Sequence, residues 1–339
     1  MSTVNRQFRL AQRPVGLPKR SDFQLLETPV AEPADGQVLV KVLMLSLDPA
    51  MRGWMNQGKS YIPPVNIGEV MRAGGGGVVL KSKDPAFKAG DHVTGMFGVQ
   101  DYAVLAAKDL TRVDVREVPL QRYLNVLGHA GVTAYYGLLD VGQPRPGDTV
   151  VVSGAGGAVG SVVGQIAKIK GCRAIGIAGG PDKCRWLTED LGFDAAIDYK
   201  AGGIPDLIMQ LREHCPKGVN VYFDNVGGDI LDTVLTQLAL KARVVVCGAI
   251  SQYNATQAPK GPSNYLSLLV NRARMEGMVV FDYAARYGEA IAQMAQWMKE
   301  GQLKAREDVV SGLETFPESL LKLFSGENTG KLVLKVADA

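Results

Sequence analysis

A chain of 339 residues is longer than one hydrophobic core usually organises, so two domains are expected and small stapled or metal-folded scaffolds are excluded. Hydrophobic residues make up 46% and charged residues 21%, which excludes disorder; a formal net charge of +3, no basic run and 7% aromatics leave no nucleic-acid footprint. No apolar stretch approaches the roughly 18 to 20 uncharged residues of a membrane span, and the opening MSTVNRQFRLAQRPVG has no apolar signal core, so a cytoplasmic protein is expected.

Residues 1 to about 125 read as short alternating runs, such as QVLVKVLMLSL (37 to 47) and GGGVVLKS (75 to 82), interrupted by glycine and proline, which predicts an irregular β domain. From about residue 130 the texture changes. Apolar runs TVVVSG, CRAIGIAG, VNVYFDNVG and RVVVCGAI alternate with helix-length segments of period 3.6, which predicts a parallel, doubly wound α/β sheet. Near residue 300, MAQWMKEGQLK ends a helix at Gly301, and the tail closes on the alternating strand GKLVLKVAD, which must find a pairing edge somewhere.

The segment TVVVSGAGGAVGSVVGQIAKIKG is a strand, then Gly154, Gly156, Gly157 and Gly160, then a helix carrying Val163 and Ile166. Glycine lets backbone approach a pyrophosphate, and the first N–H groups of the helix supply donors and positive potential. Flanked in this way, the glycine pattern predicts a dinucleotide site. The second strand ends in Gly179 and Gly180, where NAD-selective sites offer Asp or Glu to the ribose; the residues that follow include Lys183 and Arg185 instead. That favours NADP(H), with Tyr199 after the third strand a further neighbour of the 2′-phosphate.

Cys172, Cys184, Cys215 and Cys247 form no CxxC pair, so no metal site and no disulfide is expected. Three scattered histidines and no GxSxG elbow argue against a hydrolase. His129, in LGHAGVTAYYG, lies where the two textures meet.

The chain resembles the zinc-independent medium-chain dehydrogenases/reductases of the prostaglandin reductase, 2-alkenal reductase and curcumin reductase group. The likeness is carried by LSLDPAMRG (45 to 53), YIPPVNIGEVM (61 to 71), GVTAYYGLLDVG (131 to 142), GAVGSVVGQIAKIKGC (157 to 172), YFDNVGG (222 to 228), CGAISQYN (247 to 254) and GENTGK (326 to 331). Zinc relatives carry a catalytic cysteine around Ser46 and a lobe with four clustered cysteines that this chain lacks. The resemblance implies a GroES-like β-rich catalytic domain over 1–125, a Rossmann domain over 126–297, and a return to the catalytic domain over 298–339. GHAG stands where relatives often have GMPG, and MRAGGGG is unusually rich in glycine; both departures touch the substrate side.

The same resemblance implies pyrophosphate contacts from Gly157, Ala158, Val159 and Gly160, and 2′-phosphate contacts from Lys183 and Tyr199. Asn225 with Cys247, Gly248, Ala249, Ile250, Ser251 and Tyr253 would line the ribose and nicotinamide side. Met278, Val279 and Val280 would offer backbone groups to the carboxamide, and Asn328 would reach in from the tail. The implied reaction is NADPH-dependent reduction of the carbon-carbon double bond of an α,β-unsaturated ketone or aldehyde. An enolate then needs a hydrogen-bond donor, for which Tyr253 and Tyr61 are the candidates. Alternatives are a quinone or allyl-alcohol oxidoreductase, or an NADPH-binding protein with little turnover. A homodimer is usual among similar proteins.

Overall fold

A computed structural model describes residues 4–338, which fall into two compact units: residues up to Asn125 together with Glu307 onward, and Val126–Arg306. The second division lies nine residues beyond the boundary expected at 297/298. The reason is local: Gln165 clamps the backbone of Lys304, donating to its carbonyl (2.9 Å) and accepting from its N–H (2.8 Å), and the Arg306 guanidinium lies 5.7 Å from the Trp186 ring.

In the first unit the strand Gln37–Ser46 is the hub, pairing antiparallel with Gly75–Ser82, Tyr102–Ala106 and the tail strand Lys331–Lys335. The tail strand in turn pairs parallel with Glu307–Ser311. The glycine run has a packing reason: a Cβ on Gly75 would stand 2.7 Å from the Met44 carbonyl oxygen, and one on Gly77 2.4 Å from that of Lys41. Only glycine lets these two strands come so close. Phe8, Val40, Leu45, Met51, Phe316 and Leu334 form the core beneath.

The second unit is a six-stranded parallel sheet in the spatial order Ala195–Asp198, Arg173–Ala178, Thr149–Ser153, Val219–Asp224, Leu238–Val246, Arg274–Gly277. In chain order this is 3-2-1-4-5-6, so the winding reverses between the first and fourth strands. Helices cover both faces, which is why the strands read as unbroken apolar runs. The helix Ala158–Ile169 buries Val162, Val163, Ile166 and Ala167, and its Gly164 makes room for the Phe193 ring, 1.8 Å from where a Cβ would be. No helix among the described residues is long and apolar enough to cross a membrane.

Candidate active site

Ligands of open parallel sheets collect outside the carboxyl ends of the strands, at the reversal of winding. There the first strand ends at Ser153, and Gly154 turns the chain with φ +59°, a conformation that favours glycine. Gly157 closes the turn by donating its N–H to the Gly154 carbonyl (3.0 Å) and caps the helix that begins at Ala158. A Cβ on Gly160 would stand 2.4 Å from the same carbonyl, so the helix packs directly on its own entry turn. The N–H groups of Ala158, Val159 and Gly160 belong to the first helical turn, where no carbonyl of the helix can accept them.

The second strand tip is more crowded than the sequence suggests. The Lys183 methylenes lie against Gly156, 3.0 to 3.4 Å from a Cβ placed there, so this side chain runs from the second strand tip to the glycine turn. At Gly179 the same construction meets Lys200 Cε at 2.9 Å and the Tyr199 hydroxyl at 3.2 Å. The expectation of a tip without carboxylates needs correcting. Asp198, in register with Ala178 on the neighbouring strand, accepts from the N–H groups of Gly180 (2.8 Å) and Lys200 (3.0 Å). Arg185 is engaged by the exposed carboxylate of Asp182.

Asp224, fully buried, ties the remaining tips together. Its Oδ1 accepts from Ser153 Oγ (2.9 Å), Tyr222 OH (2.8 Å) and the N–H groups of Val226 and Gly227, while its Oδ2 has no partner. Burial and the Asp224 carboxylate push the Tyr222 phenol well above its ordinary range. Asn225 spends its side-chain amide on the Ser153 carbonyl (2.7 Å) and its own carbonyl on the Ile250 N–H.

The loop after the fifth strand is therefore pinned along its length. Cys247 and Gly248 donate to the Asp224 carbonyl, Ser251 donates twice to Val226, and the Tyr253 hydroxyl accepts from the Ala249 N–H at 3.2 Å. Desolvation, with Asp224 adding to it, pushes the Cys247 thiol up to about 12, which removes it as a thiolate nucleophile at neutral pH. After the sixth strand, Met278 gives its N–H to Val246, and the carbonyls of Val279 and Val280 accept from Asp282 N–H and the Tyr287 hydroxyl.

These groups, from the glycine turn to Val280, share the carboxyl end of one sheet in one unit. Tyr61 and Asn328 belong to the other. Tyr61 is 56% exposed in the segment after the helix Ala50–Trp54; Asn328 is buried and donates its amide to the Gly330 carbonyl (3.0 Å). In that unit Ser46 donates to Asp48 (2.5 Å), whose other oxygen takes the ammonium of Lys331 (2.5 Å), a lysine only 2% exposed. Sequence reasoning passed over Lys331, Asp198, Lys200 and Asp224. The lysine ends GENTGK, the aspartate stands within YFDNVGG, and Asp198 and Lys200 flank Tyr199, so each had a neighbouring signal. Among the described residues no three His, Cys, Asp or Glu side chains converge as a metal site.

A reversed-winding parallel sheet with a glycine turn, joined to a β-rich unit from both chain ends, defines a dinucleotide-dependent oxidoreductase architecture. The families described as "N-terminal domain of oxidoreductase" and "Zinc-binding dehydrogenase" match residues 6–113 and 158–300. The chain is 45% identical to the NADPH-dependent curcumin reductase of Escherichia coli K12, over 98% of this chain and 97% of that one. It is 40% identical to the NADP(+)-dependent 2-alkenal reductase of Nicotiana tabacum, over 98% of each. The crystal structure of CurA from Vibrio vulnificus in complex with NADPH superposes with a TM-score of 0.93 at 45% identity, over 98% of this chain and all of that one. The chain belongs to the medium-chain dehydrogenase/reductase family, in its curcumin, 2-alkenal and prostaglandin reductase group.

Proposed function

We propose that the protein is an NADPH-dependent reductase of the carbon-carbon double bond of α,β-unsaturated ketones and aldehydes. The observation that carries the reading is the glycine turn packed on its own helix with the Lys183 side chain laid across it, supported by the relatives named above. The backbone N–H groups of Ala158, Val159 and Gly160 would hold the pyrophosphate, with Gly157, which has no side chain, letting it approach the turn, and Lys183 and Tyr199 would hold the 2′-phosphate. The pinned loop from Cys247 to Tyr253, with Asn225 behind it, would form the floor for ribose and nicotinamide. Met278, Val279 and Val280 would fix the carboxamide, with Asn328 contributing from the tail.

When bound, NADPH supplies the hydride that the β-carbon of the enone accepts. The chain's own task is then to steady the enolate. The Tyr253 hydroxyl, which accepts from the Ala249 N–H, would donate a hydrogen bond to the enolate oxygen, and a proton from solvent taken up at the α-carbon would complete the saturated carbonyl compound. Tyr61 is the alternative donor. Oxidation of NADPH by a panel of enones, enals and quinones tests the reading: turnover with enones supports it, and turnover with quinones alone overturns it.

We also propose a homodimer in a cytoplasmic setting. The outermost strand Arg274–Gly277 is largely exposed, and the helix Leu266–Val270 before it in the chain leaves Leu266, Leu269 and Val270 exposed, apolar surface suited to a second copy. Four unpaired cysteines fit a reducing compartment. Light scattering at micromolar concentration tests the dimer.

A further inference from the structure

We propose that Lys200 is a second cation of the 2′-phosphate site and, with Lys183, sets the preference for NADPH over NADH; the proposal rests on the NADPH reading above. One carboxylate, Asp198, is held at the second strand tip by the N–H groups of Gly180 and Lys200. A dianionic phosphate placed there beside Lys183 alone would meet one positive and one negative charge, an arrangement with no net attraction.

Lys200 changes the sum. Its chain folds back over Gly179, with Cε 2.9 Å from where a side chain would begin, so the absence of a side chain at 179 makes the space this lysine occupies. The Tyr199 hydroxyl lies on the same spot at 3.2 Å. Among the described residues Lys200 forms no ion pair, whereas Arg185, the other cation in this stretch, is engaged by Asp182. The tip therefore presents two lysines and a phenol against one carboxylate, and it stays positive enough to take the phosphate.

The test is titration of the intact protein with NADPH and with NADH, read as dissociation constants. Lys200→Gln is expected to weaken NADPH roughly tenfold or more and leave NADH within about twofold, since one charge-assisted hydrogen bond is lost. Lys200→Arg should restore most of the preference. Asp198→Asn keeps an acceptor for both N–H groups and removes the charge, so it should raise the NADPH to NADH preference. If Lys200→Gln leaves the preference intact while Lys183→Gln reduces it, the second cation is refuted and the NADPH site stands. If neither substitution moves the preference, the NADPH reading itself falls. Equal weakening of both cofactors by Lys200→Gln would make the lysine structural and overturn the proposal.

Discussion

A Cβ on Gly160 would stand 2.4 Å from the carbonyl oxygen of Gly154, and that contact sets how tightly the helix Ala158–Ile169 follows the strand Thr149–Ser153. Gly160→Ala forces the turn or the helix to shift. Overpacking of this kind costs about 1 to 3 kcal/mol. A lower melting temperature together with weaker NADPH binding is expected. Gly53→Ala is the control: no atom lies within 4 Å of its Cβ position and it sits in a helix, so it should be neutral or stabilise by roughly 0.5 to 1 kcal/mol.

Lys183 joins the second strand tip to the glycine turn, and its ammonium is expected to pair with the 2′-phosphate. Lys183→Ala should raise the NADPH Michaelis constant about 10- to 100-fold, the equivalent of roughly 1.5 to 3 kcal/mol, and barely move NADH kinetics. Equal effects on both cofactors would make the lysine a packing residue.

What the sequence made legible depended on how local each signal was. The alternation of strand and helix after residue 130, the glycine turn and the position of Lys183 all lie within short windows, where periodicity and turn chemistry suffice. Asp198 and Lys200 flank Tyr199, which the sequence already set beside the 2′-phosphate, but that their side chains reach the tip of a strand some twenty residues earlier follows from the parallel pairing of Asp198 with Ala178, which no local pattern reports. Asp224 reads as one more polar residue in YFDNVGG until Ser153 and Tyr222 are seen to close on it. Lys331 is the same case: a lysine in an exposed-looking tail turns out buried because the tail strand pairs with Gln37–Ser46 and brings it to Asp48. The four-glycine run was legible as unusual, but the near contact of two backbones that requires glycine at 75 and 77, and the Leu120 side chain that fills the space beside Gly76, appear only in the folded chain.

The buried thiols predict an alkaline limit to stability. Burial pushes Cys172 and Cys215 from 9.0 up to about 11, so the folded state keeps protons that the unfolded state releases. Their contribution is complete below about pH 9 and is lost as pH rises toward 11, at about 1.4 kcal/mol per pH unit for each thiol. Chemical denaturation at a series of pH values should show this decline, and Cys215→Ala should reduce its slope.

With no converging set of His, Cys, Asp or Glu side chains among the described residues, activity is expected to survive dialysis against a strong chelator unchanged. Elemental analysis alongside the assay checks this; a stoichiometric zinc whose removal abolishes turnover would refute it.

The central claim is the direction of reduction, and product analysis by NMR after turnover of a conjugated enone with NADPH tests it most directly. A saturated ketone with the carbonyl intact is expected, and Tyr253→Phe should lower turnover by about 10- to 1000-fold with little change in NADPH binding. An allylic alcohol as the main product would contradict it.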